Sequence, residues 1–308
     1  MEIRWLQSLV AVADEGGFAN AAKALQVAQP TVTGHVKELE RSLGVALFDR
    51  RSRPVRLTDA GAAFIRHARL ILAEVDSGLQ SVRDEKHGRV GGTVRVGTYP
   101  SATSGYIPHL LQRAAVELPD VTIVLHEMSG REMEAAAEAR QIDIFLRQSE
   151  LPLLKRNYLT HRLWRERFYV AVHPDHPWAR RPEPKIPAEE LLHTKLIMTG
   201  RFAPEAMASH PLWQALGAYP DILHRVVHPQ SLLSLSEAGL APGLTTELAI
   251  KRFPTTAVLK PVDHPDAYRE VFLYWPSRRP ISPSTRALID LIIAEPTPPI
   301  LDAAQTQA

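Results

Sequence analysis

Residues 21–61 read AAKALQVAQPTVTGHVKELERSLGVALFDRRSRPVRLTDAG, and the order of apolar, breaking and basic positions in this stretch decides the N-terminal fold. Ala21, Ala22 and Leu25 share one face of a short helix. Val27, Ala28 and Gln29 read as a tight turn, and Pro30 stands where the next helix begins. Proline suits that place because its missing N–H has no helical partner there. Val32, Val36, Leu39 and Leu43 follow at spacings of four, three and four, the buried stripe of a helix that Gly44 ends. Upstream, Ile3, Leu6, Leu9, Val10 and Ala13 form the inner face of a supporting helix, stopped by Asp14-Glu15-Gly16-Gly17. A short helix, a turn and a second helix, supported by a third, is a helix-turn-helix.

After Gly44, Leu47-Phe48 and Val55-Arg56-Leu57 alternate as a two-stranded ribbon should. Its tip, RRSRPVR over 50–56, carries four arginines and no acid. Alone, a basic run is usually a solvated face. Beside a helix-turn-helix it reads as a wing that holds phosphates through Arg50, Arg51, Arg53 and Arg56. Thr58 is placed to cap the following helix. Gln29, Pro30, Thr31, Thr33, His35 and Lys37, at the start or on the polar side of the third helix, are the expected major-groove contacts. Gln29 can grip an adenine edge at two points.

The stretch resembles the DNA-binding domain of LysR-type transcriptional regulators. The match carries Ala21-Ala22, Leu25, Gln29-Pro30, Leu39-Glu40, Leu43-Gly44, Leu47-Phe48, Arg50, Leu57-Thr58 and Gly61. The family favours serine or threonine where Gly17, Ala19 and Ala28 stand, and a basic residue at Gly34, so base preference is expected to differ here. Gly34 costs the helix ~1 kcal/mol relative to alanine, for which close approach to the groove is a reason. The resemblance implies a regulator with no enzymatic activity and no cofactor. It also implies a dimer, in the family usually paired again into a tetramer, and a regulator of this kind works beside RNA polymerase.

From Asp59 to Lys86 there is no proline, and Ile65, Ala68, Leu72, Val75, Leu79 and Val82 keep a heptad. A helix of 30 residues extends ~45 Å, long for the edge of a small domain, so the stripe reads as a dimerisation seam. A twofold dimer would set two recognition helices on a near-palindromic operator in double-stranded DNA.

Beyond a glycine-rich hinge at 88–92, strands and helices alternate as in a parallel α/β sheet. Strands are expected at 93–97, 121–127, 142–147, 196–198, 224–228 and 268–275, and helices over 104–119, 131–140, 231–239 and 284–295. The segments Gly92–Gly97, Ile142-Asp143-Ile144, VAVHPDHPWA and, more weakly, EAGLAPGLTTELA resemble the family's effector domain. That domain has two α/β lobes joined by crossover strands, like periplasmic solute-binding proteins. The fold expected is thus an α/β sensor of two lobes behind an N-terminal winged helix-turn-helix and a long linker helix. Its boundaries are 1–58 for the DNA-binding domain, 59–87 for the linker, 88–92 for the hinge, 93–296 for the sensor and 297–308 for a loose tail.

Ligands of open parallel sheets sit beyond the carboxyl ends of the strands. This marks Thr98, Tyr99, Ser101 and Thr103 after the first strand, and Thr199, Arg201 and Phe202 across the expected cleft. Ser129, Arg147 and His228 are candidates by position. Helix capping is the plainer role for the hydroxyls, and surface ion pairing for the arginines. If Arg147 and Arg201 both face the cleft, a carboxylate effector follows.

Composition excludes several alternatives. The sequence has no cysteine, hence no disulfide and no thiolate metal site. No apolar run reaches the roughly 18 residues of a membrane span, and the first residues lack a secretory signal, so a cytoplasmic location is expected. The histidine clusters at 173–176 and 263–266 are proline-broken loops, not the helical pairs of a zinc hydrolase. An enzyme and a solute-transport protein are both disfavoured by the N-terminal DNA-binding unit.

Overall fold

The computed structural model describes residues 1–49, 52, 54–87, 90–149, 157–200, 204–251 and 253–301. The chain forms two compact units, Met1–Gly88 with Glu138–Arg140, and Arg89–Ala137 with Gln141–Ala308.

The first unit comprises α1 (Ile3–Asp14), α2 (Phe18–Ala24), α3 (Gln29–Leu43), β1 (Phe48–Asp49), β2 (Arg56–Leu57) and α4 (Asp59–His87). Leu6, Leu9, Val12, Val32, Val36 and Leu39 form its fully buried centre. Gln26, at φ 55°, turns the chain from α2 into α3, so the turn comes earlier than the sequence suggests. The third helix begins at Gln29, which leaves Pro30 in its first turn. Gly44 closes that helix at φ 69°, a left-handed cap that glycine adopts without steric cost.

Two polar devices fix the wing to the helices. Glu40 of α3 accepts from the backbone N–H groups of Leu47, at 2.8 Å, and Phe48, at 3.3 Å. Thr58 caps α4 by accepting from Gly61 N–H at 3.0 Å, while its hydroxyl donates to the Ala46 carbonyl at 2.8 Å. Gly61 is tight for a different reason. A Cβ there would lie 2.1 Å from the Leu47 carbonyl oxygen, so α4 can meet this backbone only at a glycine.

The heptad stripe of α4 divides in two. Ala68 and Ile65 are buried within the first unit, at 0% and 6% exposure, and are unavailable to a second chain. The seam expected from sequence is therefore shorter at its start, because the helix spends its first turns on its own domain. Leu72 and Val75 are half-buried, while Leu79 and Val82 are exposed.

The second unit continues with β3 (Gly92–Thr98), α5 (Pro100–Gly105), α6 (Ile107–Glu117), β4 (Val121–Glu127), α7 (Gly130–Glu138) and β5 (Ile144–Gln148). The long strand β6 (Tyr158–Val172) leads to α8 (Pro177–Arg180), β7 (Ile186–Pro187) and a 3-10 turn over Ala188–His193. There follow β8 (Leu196–Thr199), α9 (Pro204–Ser209), α10 (Pro211–Leu216), β9 (Ile222–Val226) and α11 (Pro229–Glu237). The chain ends with β10 (Gly243–Thr246), α12 (Glu247–Ile250), β11 (Val258–Asp263), β12 (Tyr268–Pro276) and α13 (Pro283–Ala294).

These strands form one mixed sheet in the order β4-β3-β5-β12-β6-β10-β8-β9, with β11 paired to β6 and β7 to β11. Parallel pairs lie at each end, β4-β3-β5 and β10-β8-β9. The strand β6 makes the crossing between them. Its first part, Tyr158–Arg167, pairs antiparallel with β12, and Phe168–Val172 pairs with β10 and β11. The chain returns through β11 and β12. One lobe packs Val96, Ile144, Phe145, Leu273 and Ile289, and the other Val170, Leu196, Leu212 and Leu244.

Several expectations shift. The helix expected over 104–119 is interrupted at Tyr106, and its first part already begins at Pro100. The strands β6, β7, β10 and β11 were not among those expected; β11 contains Pro261, a residue that argues against a strand in sequence. Leu301 is buried against the first lobe's core, so packed chain extends into the segment read as a loose tail.

Replacing Gly61 by alanine should cost the first unit about 3 kcal/mol through overpacking against backbone. Gly34→Ala should instead raise stability by about 1 kcal/mol, since nothing lies within 4 Å of a Cβ built there. Chemical denaturation of the two variants beside the parent protein checks both signs.

Candidate DNA interface and effector cleft

In the first unit the candidate contacts sit on one helix and one strand. Gln29, Pro30, Thr31 and Lys37 are exposed on α3, Thr33 and His35 are half-buried, and Arg56 is exposed on β2. Arg50, Arg51 and Arg53 lie outside the described residues. The His35 ring is held from below: its Nδ1 lies 2.9 Å from the hydroxyl of Ser8, a residue of α1 that is 1% exposed. This interhelical bond gives His35 a structural partner that sequence spacing did not reveal. Uncharged side chains at the N-terminal end of α3 and basic ones at Lys37 and Arg56 can together read base edges and hold phosphates.

In the second unit a cavity of about 380 Å³ opens at the carboxyl ends of strands from both lobes. Tyr99, Ser101, Ser129, Thr199 and His228 line it, five of the residues expected from sequence. Thr98 and Thr103 do not line it. Thr98 is fully buried, and the Thr103 hydroxyl donates to the Tyr99 carbonyl at 3.1 Å, a bond back to the preceding turn and not the cap expected from sequence. Arg147 is also elsewhere. It is 1% exposed, beneath Gly130, with its guanidinium 4.0 Å from Glu134, which is 3% exposed. A buried arginine with a carboxylate beside it is committed to the fold. Arg201 and Phe202 lie outside the described residues.

The sequence reading missed Arg269. It stands directly opposite Glu166 in the β12–β6 register, and the two are bonded through Nε at 2.9 Å and Nη2 at 2.6 Å. The same Nη2 donates to Ser101 of one lobe at 3.2 Å and Thr246 of the other at 3.0 Å. The second oxygen of Glu166 accepts from Leu248 N–H at 3.1 Å. A usable signal was present. Arg269 is in phase with Val271 and Leu273 on the buried face of β12, and Glu166 with Trp164 and Val170 on β6. Paired charges at core positions of two strands are costly unless they meet.

Arg269 and Thr199 also border a smaller cavity of about 30 Å³ against Met198, Met207 and Trp213. His210 forms part of its wall and uses both ring nitrogens, accepting from Leu212 N–H at 3.1 Å and facing the Tyr268 carbonyl at 2.9 Å. Burial holds its pKa below the ordinary 6.5, against the raising effect of the carbonyl. The loop histidines are turn-formers: His173 and His264 each accept from the backbone N–H two residues on, at 3.1 Å. His176 caps α8 through Trp178 N–H.

A winged helix-turn-helix joined to a two-lobed α/β domain with a cleft at its strand ends defines a ligand-responsive DNA-binding regulator. Family models agree with this. Residues 3–62 match "Bacterial regulatory helix-turn-helix protein, lysR family", and residues 87–296 match "LysR substrate binding domain". The chain is 30% identical over 290 residues to the DNA-binding transcriptional dual regulator OxyR of Escherichia coli (strain K12), covering 92% of this chain and 91% of that protein. It is 28% identical over 281 residues to the HTH-type transcriptional regulator BenM of Acinetobacter baylyi, covering 89% of each. The structure of full-length CbnR complexed with its target DNA superposes with a TM-score of 0.73 at 25% identity, covering 96% of this chain and 100% of that one. The chain belongs to the LysR family of DNA-binding transcription regulators, and its second unit is the family's effector-binding domain.

The folded state holds His210 neutral below its ordinary pKa, so the unfolded chain binds the proton more readily. The stability this contributes is complete above about 6.5 and falls as pH drops through the lower folded-state pKa. Melting of the protein between pH 7.5 and 5 should show this loss, and His210→Gln should flatten that part of the profile.

Proposed function

We propose that the protein binds a near-palindromic operator as a dimer or tetramer in the cytoplasm. A small molecule held between Ser101, Thr199, His228 and Arg269 shifts its DNA-bound state, and the regulator acts beside RNA polymerase. One observation carries this reading: Arg269 touches the cavity, both lobes and both crossing strands at once. A ligand that alters how Arg269 shares its donors favours one lobe arrangement over another, and such a difference in affinity is what shifts a population. The effector proposed is a carboxylate, with Arg269 supplying a charge-assisted bond. Glu127 and Glu132 line the same cavity and favour an effector that also carries hydrogen-bond donors. Oxidation of a thiol is not open to this chain, which contains no cysteine, so ligand binding is the signal proposed.

The founding test is binding to DNA from immediately upstream of its own gene, by fluorescence anisotropy against salt with footprinting. A protected near-palindrome, with affinity falling steeply as salt rises, is expected. Metabolites that change this binding identify the effector. Ser101→Ala should then weaken the effector about fivefold through loss of one hydrogen bond, with operator affinity in its absence unchanged. Arg269→Ala is a poor probe, because leaving Glu166 buried and unpaired costs about 3–5 kcal/mol. For the assembly, Leu79→Glu with Val82→Glu should shift the protein toward monomer in sedimentation and weaken operator binding. The same change at Ile65 or Ala68 should unfold the first unit instead.

A further inference from the structure

We infer that Gly34 is a specificity-determining position, and that its bare backbone seats the C5 methyl group of a thymine in the major groove. Glycine weakens a helix interior, so its place in α3 calls for a reason. The chain itself supplies none. Gly34 is absent from the residues with positive φ, and a Cβ built on it meets nothing within 4 Å. It therefore serves neither a turn nor a close approach inside the protein.

Helical geometry puts Gly34 on the side of α3 opposite the buried Val32, Val36 and Leu39, the side a recognition helix turns to DNA. Its neighbours leave the space open. Pro30, one turn before, is short. Glu38, one turn after, is bonded to Arg41, and the His35 ring is held at its Nδ1 by Ser8. From Gln29 to Thr33 the helix carries no charge, so its N-terminal turns offer the groove an amide, two threonines and bare backbone, with the exposed Lys37 one turn further on. An arginine or lysine would select guanine; the apolar feature of the groove is the thymine methyl. A gap one side chain deep, flanked by Pro30 and Thr31, suits that methyl.

The test uses full-length protein and the operator defined by footprinting. Each dT in the footprint is replaced in turn by dU, which removes the methyl and nothing else. One position in each half-site should weaken binding about fourfold, the factor for one buried methyl-sized group. In Gly34→Ala the added methyl occupies the seat. That variant should bind the unmodified operator at least tenfold more weakly and regain part of the loss when the same position is dU. A melting temperature no lower than the parent's would show that folding is not the cause. The inference is overturned if every dU replacement leaves affinity within twofold, or if the dT-to-dU ratio is the same in Gly34→Ala as in the parent.

Discussion

The guanidinium of Arg269 and the carboxylate of Glu166 meet where the sheet passes from one lobe to the other, and the architecture of the second unit depends on that meeting. Each charge alone would be a defect, with Glu166 fully buried and Arg269 8% exposed. One oxygen of Glu166 accepts from Nε and Nη2 of Arg269 and the other from the Leu248 N–H, while Arg269 also donates to Ser101 and Thr246. Replacing such a pair by apolar residues is often neutral for stability. Its value here lies in direction: it specifies which residues of two strands and two lobes face each other. Because the same guanidinium borders the cavity, the joint that registers the lobes is also the joint a ligand can reach.

The first unit is built on the opposite economy. Its centre is apolar apart from the buried Ser8, which bonds His35, and its other polar fixings lie at the periphery, where Glu40 and Thr58 tie the wing strand to the flanking helices. A recognition helix must keep its position against the wing while both touch DNA, and backbone-directed bonds from a carboxylate and a hydroxyl resist sliding as apolar contacts do not. Gly61 completes this by letting α4 approach the Leu47 carbonyl. The first turns of α4 thus belong to the DNA-binding fold, and only its later turns offer an exposed apolar stripe.

The histidines and arginines show how composition misleads without coordinates. Clusters at 173–176 and 264 serve as turn and helix caps through their Nδ1 atoms. Arg147, a natural choice for an anion clamp, is spent beside Glu134, while Arg269, in a late strand, reaches the cleft. Titratable groups define a site only where the fold brings them to a cavity.

What the sequence determined by itself was everything with a short period. The stripes of α1 and α3, the cap at Thr58, the stop at Gly44 and the alternation of the wing strands each need only neighbours within a turn or two, so the helix-turn-helix, the α/β pattern and five cavity residues were legible. The contour of α4's seam was not, because a heptad does not say whether its apolar edge meets its own domain or another chain. Nor were the return through β11 and the Arg269–Glu166 joint. Those partners are 103 positions apart, and Pro261 hides the strand that helps bring the chain back. Only tertiary structure decided which buried charges meet, since the free energy of a buried ion pair depends on a geometry that no local pattern encodes.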